Sequence, residues 1–354
     1  MSDAPDRVPD EVLDELRRRL RDRRRVPAVG SGWARGVDAA YLDDLLRYWA
    51  EEYDWRAAED RIRALPWTRA GGLRLVHQRA AAEDAPVLVL LHGWPDSVLR
   101  FQRVLPLLQD VHVVVPALPG YPFSDSPGTA GALMAEPIAA AMAELGHERY
   151  VVSGGDIGTG VAEALARLVP EHVSALHLTD VPSRALALVP DAQRSEGERA
   201  FAEEVRRWTE AEGAYMHEQS TKPATLAVGL GDSPAGLAAW IVEKLRSWSD
   251  CDGDVEAAFP RDDLLTWITL YWVTGAIGTS FAPYAERLPP VQERVAAPLA
   301  VTLFPRDLLH APRELAERTF DVRVWDEQPS GGHFAAWERP EAFAAAVRAA
   351  IALG

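Results

Sequence analysis

The chain has 354 residues, enough for about two domains or for one domain carrying a large insertion, and with 48% hydrophobic and 25% charged residues it is not a disordered, fibrous or membrane-embedded protein. Its 37 Lys and Arg against 53 Asp and Glu leave a net charge of -16, which repels phosphate backbones and anionic lipid, so neither nucleic acid nor a membrane is expected as a partner. The single cysteine, Cys251, requires no oxidising compartment, the first ten residues carry no apolar signal region, and no apolar run approaches the roughly 18 residues of a membrane span; a soluble, unprocessed, cytoplasmic chain is expected.

A first helix is expected from Asp10, as its cap, with Val12, Leu13, Leu16 and Leu20 at helical spacing and the Arg21 to Arg25 run ending it. Those arginines form a solvated face rather than a basic binding patch. After a glycine-rich loop around Trp33, Tyr41, Leu42, Leu45, Leu46 and Trp49 make the apolar stripe of a second helix, and Trp55, Ala58, Ile62 and Leu65 that of a third. These helices form an N-terminal extension, residues 1–69. From Leu73 the pattern changes: compact apolar runs at Val87 to Leu91, Val111 to Val115, Tyr150 to Ser153 and Ala175 to Leu178 alternate with helical segments at Val98 to Leu108, Ala132 to Leu145 and Ile157 to Leu168. That alternation predicts an α/β fold, a mostly parallel sheet with helices on both faces. It stops after Asp180. Residues 182–297 read as a helical, tryptophan-rich insertion, and Leu299 to Phe304, Val322 to Trp325 and a last helix from Pro340 to Leu353 resume the fold. The core is therefore expected in two parts, 70–181 and 298–354.

Chemistry gathers at strand ends. Tyr150 to Ser153 runs into Gly154, Gly155, Asp156, Ile157, Gly158 and directly into a helix, the pattern of a nucleophile elbow with a carboxylate at its centre. A carboxylate is already an anion at neutral pH and needs no base to attack; the alternative is an ordinary turn with Asp156 capping the helix. His92, Gly93, Trp94 and Pro95 follow the strand Val87 to Leu91 and shape a turn whose Trp94 amide, with that of Ile157, can stabilise an oxyanion; a plain strand-ending turn with a buried His92 is the alternative. His333, after Gly331 and Gly332 in a late loop, stands where the general base belongs in the order nucleophile, acid, histidine. Asp307, after the strand Leu299 to Phe304, would orient it, and Asp180 competes for that role. The nine histidines show no metal-ligand spacing and no phosphate-binding glycine loop follows a strand, so neither a metal nor a cofactor is expected.

Together these residues resemble the α/β-hydrolase epoxide hydrolases, in the branch containing the microsomal and juvenile hormone enzymes. The likeness runs through Tyr53 to Arg56, His92 to Pro95, Pro116 to Ser124, Gly154 to Gly158, Tyr215 to Pro223, Asp232 to Trp248, Phe304 to Pro312 and Gly331 to Glu338. It implies that the insertion is a cap and that Tyr215 and Tyr284 are its two ring-opening tyrosines. The implied reaction takes a bulky apolar epoxide to a vicinal diol through an ester on Asp156. Two positions depart from the branch: Asp96 and Pro122 replace common glycines, and Asp96 brings a second carboxylate towards the oxyanion turn. The membrane anchor of the microsomal enzymes is not matched, and the oligomeric state is open, a homodimer included. A haloalkane dehalogenase also uses an elbow aspartate, but Ile157 stands where its halide donor often lies. A serine esterase is excluded by Asp156. A catalytically silent ligand-binding homologue is the alternative of a different class.

Overall fold

The computed structural model describes residues 3–286 and 294–354, and residues 287–293 of the expected insertion lie outside them. Eight strands form one sheet: β1 (Trp67–Ala70), β2 (Leu73–Gln78), β3 (Val87–Leu91), β4 (His112–Pro116), β5 (Tyr150–Gly154), β6 (Val173–Leu178), β7 (Val295–Leu303) and β8 (Phe320–Glu327). Their spatial order is β1-β2-β4-β3-β5-β6-β7-β8. The β1/β2 and β2/β4 pairs are antiparallel and every other pair is parallel. The unbroken Val, Leu and Ala runs suit the central strands because these are covered on both faces; β4 and β5 are buried along their whole length. From β3 the chain crosses to β4 on one side and later to β5 on the other. This reversal opens a crevice beyond the carboxyl ends of β3 and β5, where open α/β sheets hold their ligands.

Helices α1 (Asp10–Arg21), α2 (Ala39–Glu51) and α3 (Trp55–Arg63) precede the sheet, α4 (Ala135–Glu144) follows β4, and α5 (Ile157–Leu168) connects β5 to β6. Between β6 and β7 lie α6 (Glu196–Glu212), α7 (Ala214–Thr221), α8 (Pro223–Asp232), α9 (Pro234–Ser247), α10 (Val255–Ala258), α11 (Arg261–Thr274) and α12 (Ala282–Ala285). The chain ends through α13 (Arg313–Glu317), α14 (Ala335–Glu338) and α15 (Pro340–Ile351). No single helix among the described residues is long and apolar enough to cross a membrane.

The N-terminal helices bury the predicted stripes, Leu13, Leu16 and Leu20 on α1 and Leu45, Leu46 and Trp49 on α2, and are bonded to the insertion. Tyr53 Oη lies 2.8 Å from Thr266 Oγ1, the Tyr48 hydroxyl donates to Asp262 at 2.9 Å and that of Tyr41 to Glu256 at 3.0 Å. Arg261 reaches back to Asp44 at 2.9 Å, and Arg19 pairs with Asp232 at 2.8 Å.

Four expectations are corrected. Asp10 is the first helical residue of α1, after Pro9, and its side chain pairs with Arg56 instead of capping. The segment Val98 to Leu108 is not one helix but two 3-10 turns, Val98–Phe101 and Leu105–Leu107, because Pro106 can neither donate an N–H nor clear the preceding turn. The β1/β2 hairpin, turning at Gly71 and Gly72, precedes the first expected strand. Finally, β7 begins at Val295 rather than Leu299, and its ladder with β8 shifts register between Val295 and Pro298, where a proline has no N–H to give.

Candidate active site

At the end of β5 the backbone turns through Asp156 at φ 57 and ψ -126 before entering α5. A side chain at positive φ is strained by about 1–3 kcal/mol, so the surroundings must hold it there. The Asp156 N–H donates to Asp180 Oδ1 at 2.9 Å, and two glycines permit the close approach. A Cβ on Gly93 would lie 2.4 Å from Asp156 Oδ1, and one on Gly158 2.3 Å from the Leu91 carbonyl of β3. The Trp94 N–H donates to Asp156 Oδ1 at 2.8 Å and the Ile157 N–H also bonds the carboxylate. Burial raises the Asp156 pKa, and its attraction to His333 and these two amides counter only part of the rise. His92 shapes the neighbouring turn from inside: fully buried, its Nε2 accepts the Leu118 N–H at 3.2 Å. The Trp94-Pro95 peptide is cis.

His333 faces the other carboxylate oxygen, its Nε2 lying 3.7 Å from Asp156 Oδ2. On its far side Nδ1 lies 2.7 Å from Asp307 Oδ1, an oxygen that also accepts the Leu308 N–H at 2.7 Å. In the neutral imidazole the Nδ1–H donates to Asp307, which leaves the Nε2 lone pair facing Asp156. Burial alone would lower the His333 pKa, but Asp307 and Asp156 outweigh it and the net direction is up. The same contact holds Asp307 below the usual carboxylate range despite its burial. Asp180, the competing orienter in the sequence, is engaged elsewhere, accepting from the Asp156 N–H and from the Thr159 hydroxyl at 2.5 Å.

Above these groups lies a cavity of about 900 Å³ whose lining includes Asp156, His333, Tyr215 and Tyr284, with Gly160 and Ala164 of α5 along one wall. Tyr215 and Tyr284, brought from α7 and α12, set their rings edge to face, 6.1 Å apart. Burial and the nearby Asp156 charge push both phenols up, so both stay neutral. The Trp94 ring stacks on Tyr215 at 5.4 Å and 9°, so one residue supplies a main-chain donor below and a platform for a tyrosine above. No grouping of three or more His, Cys, Asp or Glu side chains able to hold a metal occurs among the described residues.

Residues that sequence reasoning passed over complete the site. Trp248 accepts the His333 N–H at 2.8 Å through its carbonyl and sets its ring 5.2 Å from the imidazole. The Glu338 carboxylate accepts the Gly332 and Phe334 N–H groups, each at 3.0 Å, on both sides of the histidine. Asp96 does not extend a free charge towards the oxyanion turn: it is buried and paired with Arg100. Pro122 sits in a turn closed by the Ser124 N–H to the Tyr121 carbonyl at 3.1 Å, and the positive φ this imposes on Phe123 is held by packing against Trp67.

Asp180 carries a stability prediction. Burial and the neighbouring carboxylates raise its pKa from 3.8 to about 6, so the folded chain holds this proton more tightly than the unfolded one. The stability this confers is complete below pH 3.8 and is lost as pH rises through about 6. Asp180→Asn keeps an acceptor oxygen for both donors and is expected to stabilise the protein by on the order of 1–3 kcal/mol near pH 8, with no gain below pH 4. Urea denaturation at both pH values checks it; an equal or smaller stability near pH 8 contradicts the assignment.

A family model described as "Epoxide hydrolase N terminus" matches residues 4–101, and one described as "alpha/beta hydrolase fold" matches residues 86–220. A protein of Stigmatella aurantiaca (strain DW4/3-1), named as an epoxide hydrolase, is 38% identical over 89% of this chain and 76% of its own. The structure of an epoxide hydrolase from Aspergillus niger superposes with a TM-score of 0.87 at 30% identity, covering 98% of this chain and 94% of that one. That of the juvenile hormone epoxide hydrolase of the silkworm Bombyx mori gives 0.85 at 31%, covering 98% and 93%.

Proposed function

Given that this chain belongs to the epoxide hydrolases of the α/β-hydrolase fold, we propose how its residues divide the conversion of an epoxide to a vicinal diol. Asp156 Oδ2 attacks a ring carbon, the C–O bond breaks, and the oxygen that leaves carries negative charge. Tyr215 and Tyr284 donate to that oxygen, and because both phenols remain neutral they can supply the proton that an alkoxide requires at pH 7. The product of this step is an alkyl ester of Asp156. His333, oriented by Asp307, then takes a proton from water, and the hydroxide adds to the ester carbonyl. The carbonyl oxygen is Oδ1, already bonded to the Trp94 amide, and the Ile157 amide also bonds this carboxylate, so the charge of the tetrahedral intermediate falls beside donors fixed in advance. Collapse expels the second diol oxygen, which takes the proton of the added hydroxyl and so restores the carboxylate, and the proton held by His333 replaces the one that the tyrosine gave up.

The observation that carries this reading is the division of labour between the two oxygens of Asp156, one on the Trp94 amide and the other towards His333. A cavity of about 900 Å³ lies at the upper end of the range for small-molecule sites, and with the Gly160 and Ala164 wall it suits a bulky, largely apolar epoxide. The insertion acts as the cap that brings the tyrosines over the ring.

The two tyrosines supply the test. Loss of one donor to developing negative charge costs about 2.7–4 kcal/mol when nothing replaces it, and less when a partner compensates. Tyr215→Phe and Tyr284→Phe are each expected to slow ester formation, the double variant to be close to inactive, and ester hydrolysis to change little. Single-turnover kinetics with tryptophan fluorescence resolve the two steps. Alkylation at the wild-type rate in both single variants would assign these side chains to packing.

A further inference from the structure

The buried pair Asp96 and Arg100 joins two loops that the chemistry needs in register. Asp96 follows the oxyanion turn and Arg100 lies in the 3-10 turn Val98–Phe101; they are 1% and 2% exposed. Asp96 Oδ1 accepts the Gly93 N–H at 2.9 Å, and the Tyr271 hydroxyl donates to the Asp96 carbonyl at 2.9 Å. Arg100 Nη1 donates to Asp96 Oδ2 at 2.5 Å, while Nη2 donates to the backbone carbonyl of His333, also at 2.5 Å. One guanidinium thus ties the turn that presents the Trp94 amide to the residue that serves as base.

Stability alone is a weak reason for such a pair, since taking two charges out of water costs about as much as their attraction returns, and apolar side chains of similar volume often do as well. What an arginine adds is a rigid planar fork, two directed donors at a fixed separation, which a lysine's single ammonium cannot supply. With Arg100 on its carbonyl, Trp248 on its N–H and Glu338 on the flanking amides, the His333 backbone is held at both of its own polar groups and at the N–H on either side. The imidazole is thereby aimed from a frame continuous with the oxyanion turn.

We propose that Arg100 is a positioning residue for ester hydrolysis, holding His333 and the Trp94 turn at the spacing that lets Nε2 activate water beside the ester whose carbonyl the turn binds. This rests on the assignment of Asp156 as nucleophile and His333 as base. Ester formation makes no such demand, because the Asp156 carboxylate needs no base to attack.

Arg100→Lys keeps the charge beside Asp96 but cannot span both acceptors. Single-turnover kinetics on styrene oxide with enzyme in excess are expected to show ester hydrolysis slowed at least about tenfold, in keeping with the cost of an ångström-scale displacement of a catalytic group. Alkylation should stay within about twofold of wild type, a ratio that general loosening of the fold would not preserve. Intact mass spectrometry during turnover should then find the ester. The Asp96→Asn/Arg100→Gln double variant leaves no buried charge unpaired, cannot reach the His333 carbonyl, and decides the matter should Arg100→Lys not fold. Hydrolysis at the wild-type rate, or equal slowing of both steps, in the folded variant overturns the proposal, and so does failure of both variants to fold, which would make the pair purely structural. His333→Gln measured alongside separates the two levels: an ester on it with unaltered hydrolysis in Arg100→Lys rejects this inference alone, whereas no ester on any variant rejects the underlying mechanism.

Discussion

Asp156→Ala is expected to fold normally and to form no measurable diol, a loss of at least roughly four orders of magnitude, the scale seen when a covalent nucleophile is removed. None of the three neighbouring aspartates can substitute. Asp180 is occupied by the Asp156 N–H and the Thr159 hydroxyl, Asp307 by His333, and Asp96 by Arg100. The fold should tolerate the change because burial already opposes the Asp156 charge; removing an ion that the interior disfavours offsets the amide partners left behind. The measurement is chromatographic detection of diol from freshly purified protein, with a thermal melt as the control for folding. Turnover near the wild-type rate in the alanine variant would falsify the covalent route. Asp156→Asn is a poorer test, since deamidation regenerates the acid.

His333→Gln separates the two half-reactions. Glutamine preserves the backbone bonds that fix the loop and a polar head towards Asp307, but it cannot take a proton from water. Asp156, Trp94, Ile157 and the tyrosines remain, so alkylation should proceed and the protein should stop at the ester. Steady-state diol formation is expected to fall by about three orders of magnitude or more. Intact mass spectrometry after mixing with epoxide should show the chain heavier by one substrate molecule. Lost activity without any adduct would mean that His333 acts before the ester forms, or that the loop has collapsed.

The parts of the site legible in the sequence are those whose chemistry is local. β5, the elbow and α5 follow one another without a gap, and the boundaries of β3 and α5 are as expected because their apolar runs stop at residues that turn the chain. His333 stands out by its two glycines and its late position. Asp307 is the orienter that the chain order favours and Asp180 its competitor, each an aspartate just beyond a strand, and the contact at His333 Nδ1 separates them geometrically. Arg100 was invisible for the opposite reason: four residues after Asp96, it reads as a common surface ion pair, and its second bond spans 233 positions to His333. Trp248 is one of 12 tryptophans, and nothing in the sequence marks the one whose carbonyl meets the base. Tyr215 and Tyr284 came from resemblance alone, because most tyrosines in amphipathic helices are packing residues.

The bonds between the N-terminal helices and the insertion bear on how such proteins can be recombined. Tyr41, Tyr48, Tyr53, Asp44 and Arg19 reach Glu256, Asp262, Thr266, Arg261 and Asp232, so two stretches far apart in sequence form one mechanical piece over the crevice. A chimaera that imports only the insertion from a relative would set these side chains against foreign partners and strand buried polar groups such as the Tyr53 hydroxyl. The unit of exchange for altering substrate range is discontinuous: the first three helices must travel with the insertion that they brace.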